Sequence, residues 1–145
     1  MTRFTRTFAR SAAAICAAVL GTAAVAQPEY FVCEITKTDR FFPEEMVFAI
    51  DQDAGTAMVV DPIVLYYNDG RGREGQISEI TTKKVVFNWD MPMTNMSGQN
   101  AIMRFRGVLQ RPSLRVLVTA QPSGYDSVFK GRGRCQATDV EIEGL

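Results

Sequence analysis

The sequence contains no histidine. That absence removes Ser-His-Asp and Cys-His catalysis, histidine-bound zinc, and the side chain most often used as a general base near neutral pH. Cysteine is almost as scarce, with Cys16, Cys33 and Cys135 the whole complement. No Cys-x-x-Cys spacing is present to depress a thiol pKa, so a redox pair is not expected. A helical 3.6-residue period is missing beyond residue 26, apart from Phe41 to Val47, where one turn could form. An excess of either charge is missing too, with 16 basic residues against 16 acidic.

Arg3, Arg6 and Arg10 precede an apolar run, Ala12 to Val25, that ends in Ala24-Val25-Ala26. A basic start, an apolar segment too short to span a bilayer comfortably and small residues at a cleavage site predict a secretory signal peptide over residues 1–26. Ile15 stands before Cys16, where a lipoprotein signal needs a small residue, so Cys16 is expected to leave with the leader. The 119 residues from Gln27 to Leu145 are enough for one domain with a modest core. Removing the three leader arginines leaves 13 basic residues against 16 acidic. That balance argues against general binding to nucleic acid or to an anionic membrane, and no stable membrane insertion is expected after cleavage. The expected location is the periplasm or the extracellular space.

Exported compartments are oxidising, and Cys33 and Cys135 are expected to form one structural disulfide. Cys33 alternates onto one face with Phe31 and Ile35, and Cys135 onto one face with Phe129, Gly131 and Gly133. Both thiols can therefore point inward from terminal strands that pair. Gly131 and Gly133 are read as leaving room for that bond.

The clearest pattern lies between Asn100 and Gln121. Ala101, Met103, Phe105, Gly107 and Leu109 alternate with Arg104 and Arg106, and after Gln110-Arg111-Pro112-Ser113 come Leu114, Val116, Val118 and Ala120, alternating with Arg115, Thr119 and Gln121. A period of two with one apolar face predicts a half-buried antiparallel hairpin. Further strands are expected at Tyr30 to Lys37, around Met46 to Ile50, at Thr56 to Val60, at Gln76 to Thr82, around Val85 to Trp89, and at Val128 to Thr138. Ile63 to Tyr67 is continuously apolar or aromatic and reads as a strand buried on both faces. Gly70 to Gly75 reads as loop, Asp90 to Gln99 as irregular, and Asp139 to Leu145 as a fraying acidic tail. The fold class is all-β: a small antiparallel β-barrel or sandwich of about seven or eight strands, closed by one disulfide, in a single domain over residues 27–145. Joining the first strand to the last favours the barrel, since closure removes exposed edges. The plan of Tyr30-x-x-Cys33 in the first strand and a cysteine in the last is similar in architecture to the small periplasmic lysozyme-inhibitor barrels. Their active-loop motif is not found here, so the resemblance implies a fold and not inhibition.

Chemistry is thinly represented. Glu44 and Glu45 could be imagined as the carboxylate pair of a hydrolase, but adjacent residues in a strand point to opposite faces. Asp51-Gln52-Asp53-Ala54-Gly55 begins like a calcium loop, yet lacks the later oxygen ligands and suits a hairpin turn. Arg71-Gly72-Arg73 and Arg132-Gly133-Arg134 repeat one local pattern that could surround a phosphate or carboxylate, making Arg71, Arg73, Arg132 and Arg134 candidate anion ligands.

The least ordinary stretch is Trp89-Asp90-Met91-Pro92-Met93-Thr94-Asn95-Met96. Thioethers are soft ligands suited to Cu(I), and an indole face can cover a monovalent cation. Trp89, Met91 and Met93 resemble the Trp and Met-x-Met segment of the small periplasmic copper and silver chaperones of metal-efflux systems, with one residue fewer in between. The resemblance implies a Cu(I) or Ag(I) site at Trp89, Met91 and Met93, with Met96 in place of that family's histidine. The competing expectation is that these residues plug one end of a barrel. The first reading is an exported, non-catalytic binding or interaction module for an unknown protein or small ligand, without a cofactor. A copper-binding protein and a carboxylate-based hydrolase are the alternatives.

Overall fold

Alternating apolar residues must all find the same side of a sheet, and in a chain this short the sheet achieves that by closing on itself. The structure, a computed structural model, describes residues 26–39, 41–94 and 97–140. The expected leader lies outside these except for Ala26, and Met96 and residues 141–145 of the acidic tail lie outside as well. Eight strands follow in order: β1 (Glu29–Thr38), β2 (Glu45–Asp51), β3 (Thr56–Val60), β4 (Arg73–Ile80), β5 (Lys84–Thr94), β6 (Asn100–Gln110), β7 (Arg115–Pro122) and β8 (Phe129–Thr138), with one helix, α1 (Pro62–Tyr67), between β3 and β4. Each strand pairs antiparallel with the next and β8 pairs with β1, giving a closed up-and-down barrel.

Eight strands enclose a space that side chains can fill. An aromatic column fills much of it here. Phe48 meets Phe87 edge to face at 5.0 Å, Phe87 stacks on Trp89 at 5.7 Å, and Trp89 stacks on Phe105 at 4.9 Å with only 6° between the rings. Phe41, from the β1–β2 connection, lies over Phe105 and stacks on Phe129 at 4.8 Å, and Phe42 packs edge-on against Phe41. The faces expected from alternation are the faces found: Phe105, Val116, Val118 and Ala120 are buried, and Arg104, Arg106 and Arg115 are exposed.

Glycine permits this packing. A Cβ on Gly107 would come within 2.5 Å of the Phe87 ring, its partner across β5 and β6. Gly131 gives its space to Phe42, and a Cβ on Gly133 would strike the Glu34 carbonyl oxygen of β1. The last two therefore admit a ring and a neighbouring backbone, not the disulfide as the sequence reading expected. Cys33 and Cys135 are directly opposite across the β1–β8 seam and are joined by a disulfide, with a Cα separation of 3.9 Å.

Five expectations about elements are corrected. Ile63 to Tyr67 is helix, because Asp61 caps it: Asp61 Oδ1 accepts from the Ile63 and Val64 N–H groups at 2.7 and 2.9 Å, and Pro62 occupies the first turn, where its missing N–H costs nothing. Phe41 to Val47 holds no helical turn; its second half is the start of β2. β4 begins at Arg73, inside the glycine-rich stretch read as loop, and Gly75 is needed there by close approach to the Asn88 carbonyl. β5 runs on through Pro92 to Thr94. Its pairing with β4 reaches only Asn88, so the far half has β6 alone as partner, and a proline without an N–H is tolerated on the free side. The hairpin turn lies one residue later than read, over residues 111–114. At Asp51 to Gly55, Asp51 Oδ1 accepts from the Ala54 N–H at 2.9 Å, which is turn chemistry.

Candidate functional site

Strand direction places the β1–β2 connection, α1, the β5–β6 connection and the β7–β8 connection at one end of the barrel. Phe41, Tyr67 of α1, the ends of β5 and β7 and the start of β6 surround an open cleft of about 840 Å³ there. Met93 and Met103 are among the apolar residues lining it, beside the aromatic column. The rim is braced by short polar contacts. The Tyr67 hydroxyl donates to the Thr94 carbonyl at 3.1 Å, Thr94 Oγ1 donates to Asn100 Oδ1 at 2.7 Å, and the Ser123 N–H donates to the Ile102 carbonyl at 2.8 Å. Ile102 and Tyr125 stand at the mouth, 48% and 64% exposed. Among the described residues, no lining side chain carries a charge.

The metal candidates divide. Trp89 and Met91 are buried on the inner face of β5, with Met93 next on that face and half-buried at the cleft. The indole is stacked in the aromatic column, and its Nε1–H is buried without an acceptor among the described residues. Met103, which the sequence reading placed inward but did not consider as a ligand, lies directly across from Met91 in β6. The inner face thus gathers three thioethers near the cleft. Met96 lies outside the described residues.

No family model, curated protein or solved structure matches the chain. Its chemistry must be read from its own geometry.

The four arginines proposed for an anion do not converge. Arg71 is exposed and pairs with Asp69 at 3.8 Å, and Arg73 opens β4 beside it. Arg132 and Arg134 are exposed on β8. β4 and β8 are four strands apart in an eight-strand ring, hence on opposite walls. Glu44 and Glu45 are both exposed at the start of β2. Among the described residues the buried polar or charged side chain is Asp61, whose carboxylate caps α1. No second carboxylate is buried with it to make a catalytic pair. Burial pushes the Asp61 carboxyl above the ordinary aspartate range, and the two backbone hydrogen bonds pull it back.

The cleft residues Phe41, Tyr67, Ile102, Met103 and Tyr125 were missed as a site. They come from a loop, a helix, a strand and a turn, so no sequence period connects them. Met103 was readable as an inward residue but not as a floor.

Proposed function

We propose that this chain is a non-catalytic binding module that takes an uncharged apolar or aromatic group in the cleft at the α1 end of the barrel, in the periplasm or outside the cell. One observation carries the reading: a cleft with no charged lining side chain among the described residues opens over a barrel whose interior is filled, with Ile102 and Tyr125 exposed at its mouth. Large apolar side chains at the rim of a concave, mainly apolar site are the usual form of a small-ligand or side-chain pocket. The leader-like first 26 residues and the Cys33–Cys135 disulfide support that location.

The test uses N-phenyl-1-naphthylamine, a neutral dye that brightens in apolar sites. Saturable brightening at micromolar protein, lost in Ile102→Ser with Tyr125→Ser and retained in Arg71→Gln, is the expected result. Brightening that fails to saturate, or that survives the double substitution, would sink the reading.

A second reading has one observation in its favour, the juxtaposition of Met91 and Met103 with Met93 beside them. Soft thioethers at that spot suit Cu(I) or Ag(I) and not Zn(II). Ag(I) should then quench Trp89 fluorescence at stoichiometric amounts, and Met91→Leu with Met93→Leu should abolish the effect. A protein whose emission ignores micromolar Ag(I) holds these methionines for packing alone.

A further inference from the structure

The near balance of charge in the whole chain hides a separation that the barrel makes spatial. β6 carries Arg104 and Arg106, β7 carries Arg115, and β8 carries Lys130, Arg132 and Arg134, while none of these three strands contains an aspartate or glutamate. The three strands are neighbours, and all six cations are exposed. Arg115 lies directly across from Arg134, Leu117 from Arg132, and Thr119 from Lys130, while Arg106 faces Thr119 from the other side. None of the six makes an ion pair among the described residues. Carboxylates level with them stand at the margins, with Asp90 of β5 opposite Arg104, Glu34 of β1 opposite Arg134, and Asp39, whose Oδ2 accepts from the Lys130 N–H at 2.8 Å, in a groove with Lys130 and Arg132. Like charges this close repel one another and raise the energy of the free protein, a cost that an anionic partner removes.

The wall also has a centre. Val108 and Leu117, half-buried and paired across β6 and β7, lie in a groove of about 250 Å³ bordered by Gln110, Arg115 and Arg132. We infer that this outer wall of β6, β7 and β8 docks an acidic protein surface, with carboxylates on Arg115 and Arg132 and an apolar side chain set over Val108 and Leu117. An apolar centre ringed by arginine is the anatomy of a protein–protein interface, and guanidinium forks match carboxylates two bonds at a time. Other polyanions fit less well. Single-stranded nucleic acid is held by aromatic platforms, and the outward positions of these strands from Arg104 to Gln121 and from Lys130 to Gln136 include no aromatic residue. A lipid surface wants apolar groups that protrude, whereas Val108 and Leu117 are sunk between longer cationic arms. An acidic polysaccharide has no use for the apolar floor.

Fluorescence anisotropy of a labelled peptide of repeating Glu-Glu-Leu tests the inference at about 50 mM salt, where surface charge is least screened. Saturable binding is expected, falling steeply as salt rises and falling at least roughly tenfold in Arg115→Gln with Arg132→Gln. A repeating Glu-Glu-Gly peptide of equal charge should bind more weakly. Tyr125→Ser, which alters the cleft at the barrel end, should leave the peptide's affinity unchanged. Should the paired substitution lower the melting temperature, Arg104→Gln with Lys130→Gln, on other rows of the wall, provides the same reading with a smaller loss. Absence of saturable binding overturns the inference, as does affinity indifferent to both substituted pairs. Polygalacturonate, duplex DNA or phosphatidylglycerol vesicles that bind as tightly as the leucine-containing peptide would assign the wall to another occupant and overturn it equally. Equal affinity for the leucine and glycine peptides removes the groove from the interface and overturns the assignment to protein.

Discussion

Phe105 is where packing and the cleft meet. Its ring stacks on Trp89 below and on Phe41 above, so one side chain couples the barrel interior to the loop that borders the cleft. Removing it leaves a void among rings that cannot collapse without breaking their stacking. Phe105→Ala should cost about 3 to 5 kcal/mol in urea unfolding, whereas Arg104→Ala, one residue away on the outer face, should change stability by no more than about 0.5 kcal/mol. Similar losses for both would mean that the ring is not integral to the core. The two faces of β6 were legible because a strand allows only two, and a one-residue slip would have sent every apolar side chain into water. Phe41 and Phe42 were not legible in the same way. They sit in a connection without a period, and the burial of Phe42 depends on Gly131 yielding space from a strand 89 residues further on. Trp89 shows a cost within the same column. Its unpaired Nε1–H is worth about 1 to 3 kcal/mol of penalty, against about 0.5 to 1.5 kcal/mol for each good ring contact beyond the burial of its area.

At the level of elements, α1 is one that sequence patterning misread, and the reason is physical. A five-residue apolar run has the same composition in a buried strand and in a short buried helix, so periodicity cannot separate them. The deciding signal was Asp61-Pro62, read as a strand breaker although it is also a helix start, with an N-cap acceptor followed by proline at the first position. Because that cap is buried, it titrates unusually. The folded carboxyl has a raised pKa, so between the ordinary aspartate value, about 3.9, and the folded value the native state holds more proton than the unfolded chain. The contribution of this group is therefore most favourable at low pH and is lost as pH rises through the folded value. Asp61→Asn keeps the acceptor without the charge. The native protein should gain on that variant in melting temperature as pH is lowered from 7 to 4. A constant difference would show that burial and the backbone hydrogen bonds cancel, and one that moves the other way would show that the hydrogen bonds outweigh the burial. Asp61→Ala, which removes the acceptor, should cost about 0.5 to 2 kcal/mol at pH 7, a loss that grows as pH is lowered. The extension of β5 through Pro92 was hidden by a related ambiguity. Proline argues against a central strand, and only the early end of β4 pairing frees the edge on which Pro92 is allowed.

Closure of the barrel is the property of the whole molecule, and it rests on the seam between β1 and β8. The sequence announced the seam through two cysteines on apolar faces 102 residues apart, and the disulfide constrains a loop long enough to be worth about 4 to 5 kcal/mol on the chain-entropy account. What spacing could not announce is that the two backbones approach so closely that one of them must lack a side chain. A Cβ on Gly133 would overlap the Glu34 carbonyl oxygen, and backbone cannot swing aside as a flexible side chain can. Gly133→Ala should therefore separate β8 from β1 locally and cost more than the roughly 1 to 3 kcal/mol of ordinary overpacking. Gly55→Ala is a useful contrast, since a Cβ there meets nothing but Gly55 has φ of +70°, so its cost comes from conformation alone, about 1 kcal/mol. The two can be told apart at the seam. The Cys135 N–H donates to the Leu114 carbonyl on the β7 side, so alternation turns the Arg134 and Gln136 N–H groups toward β1; their hydrogen exchange should accelerate in Gly133→Ala beyond the global loss of stability, while in Gly55→Ala it should follow the global value. If Gly133→Ala retains native stability and native exchange in β8, the disulfide alone holds the seam, and the glycine reflects no close approach of the two strands.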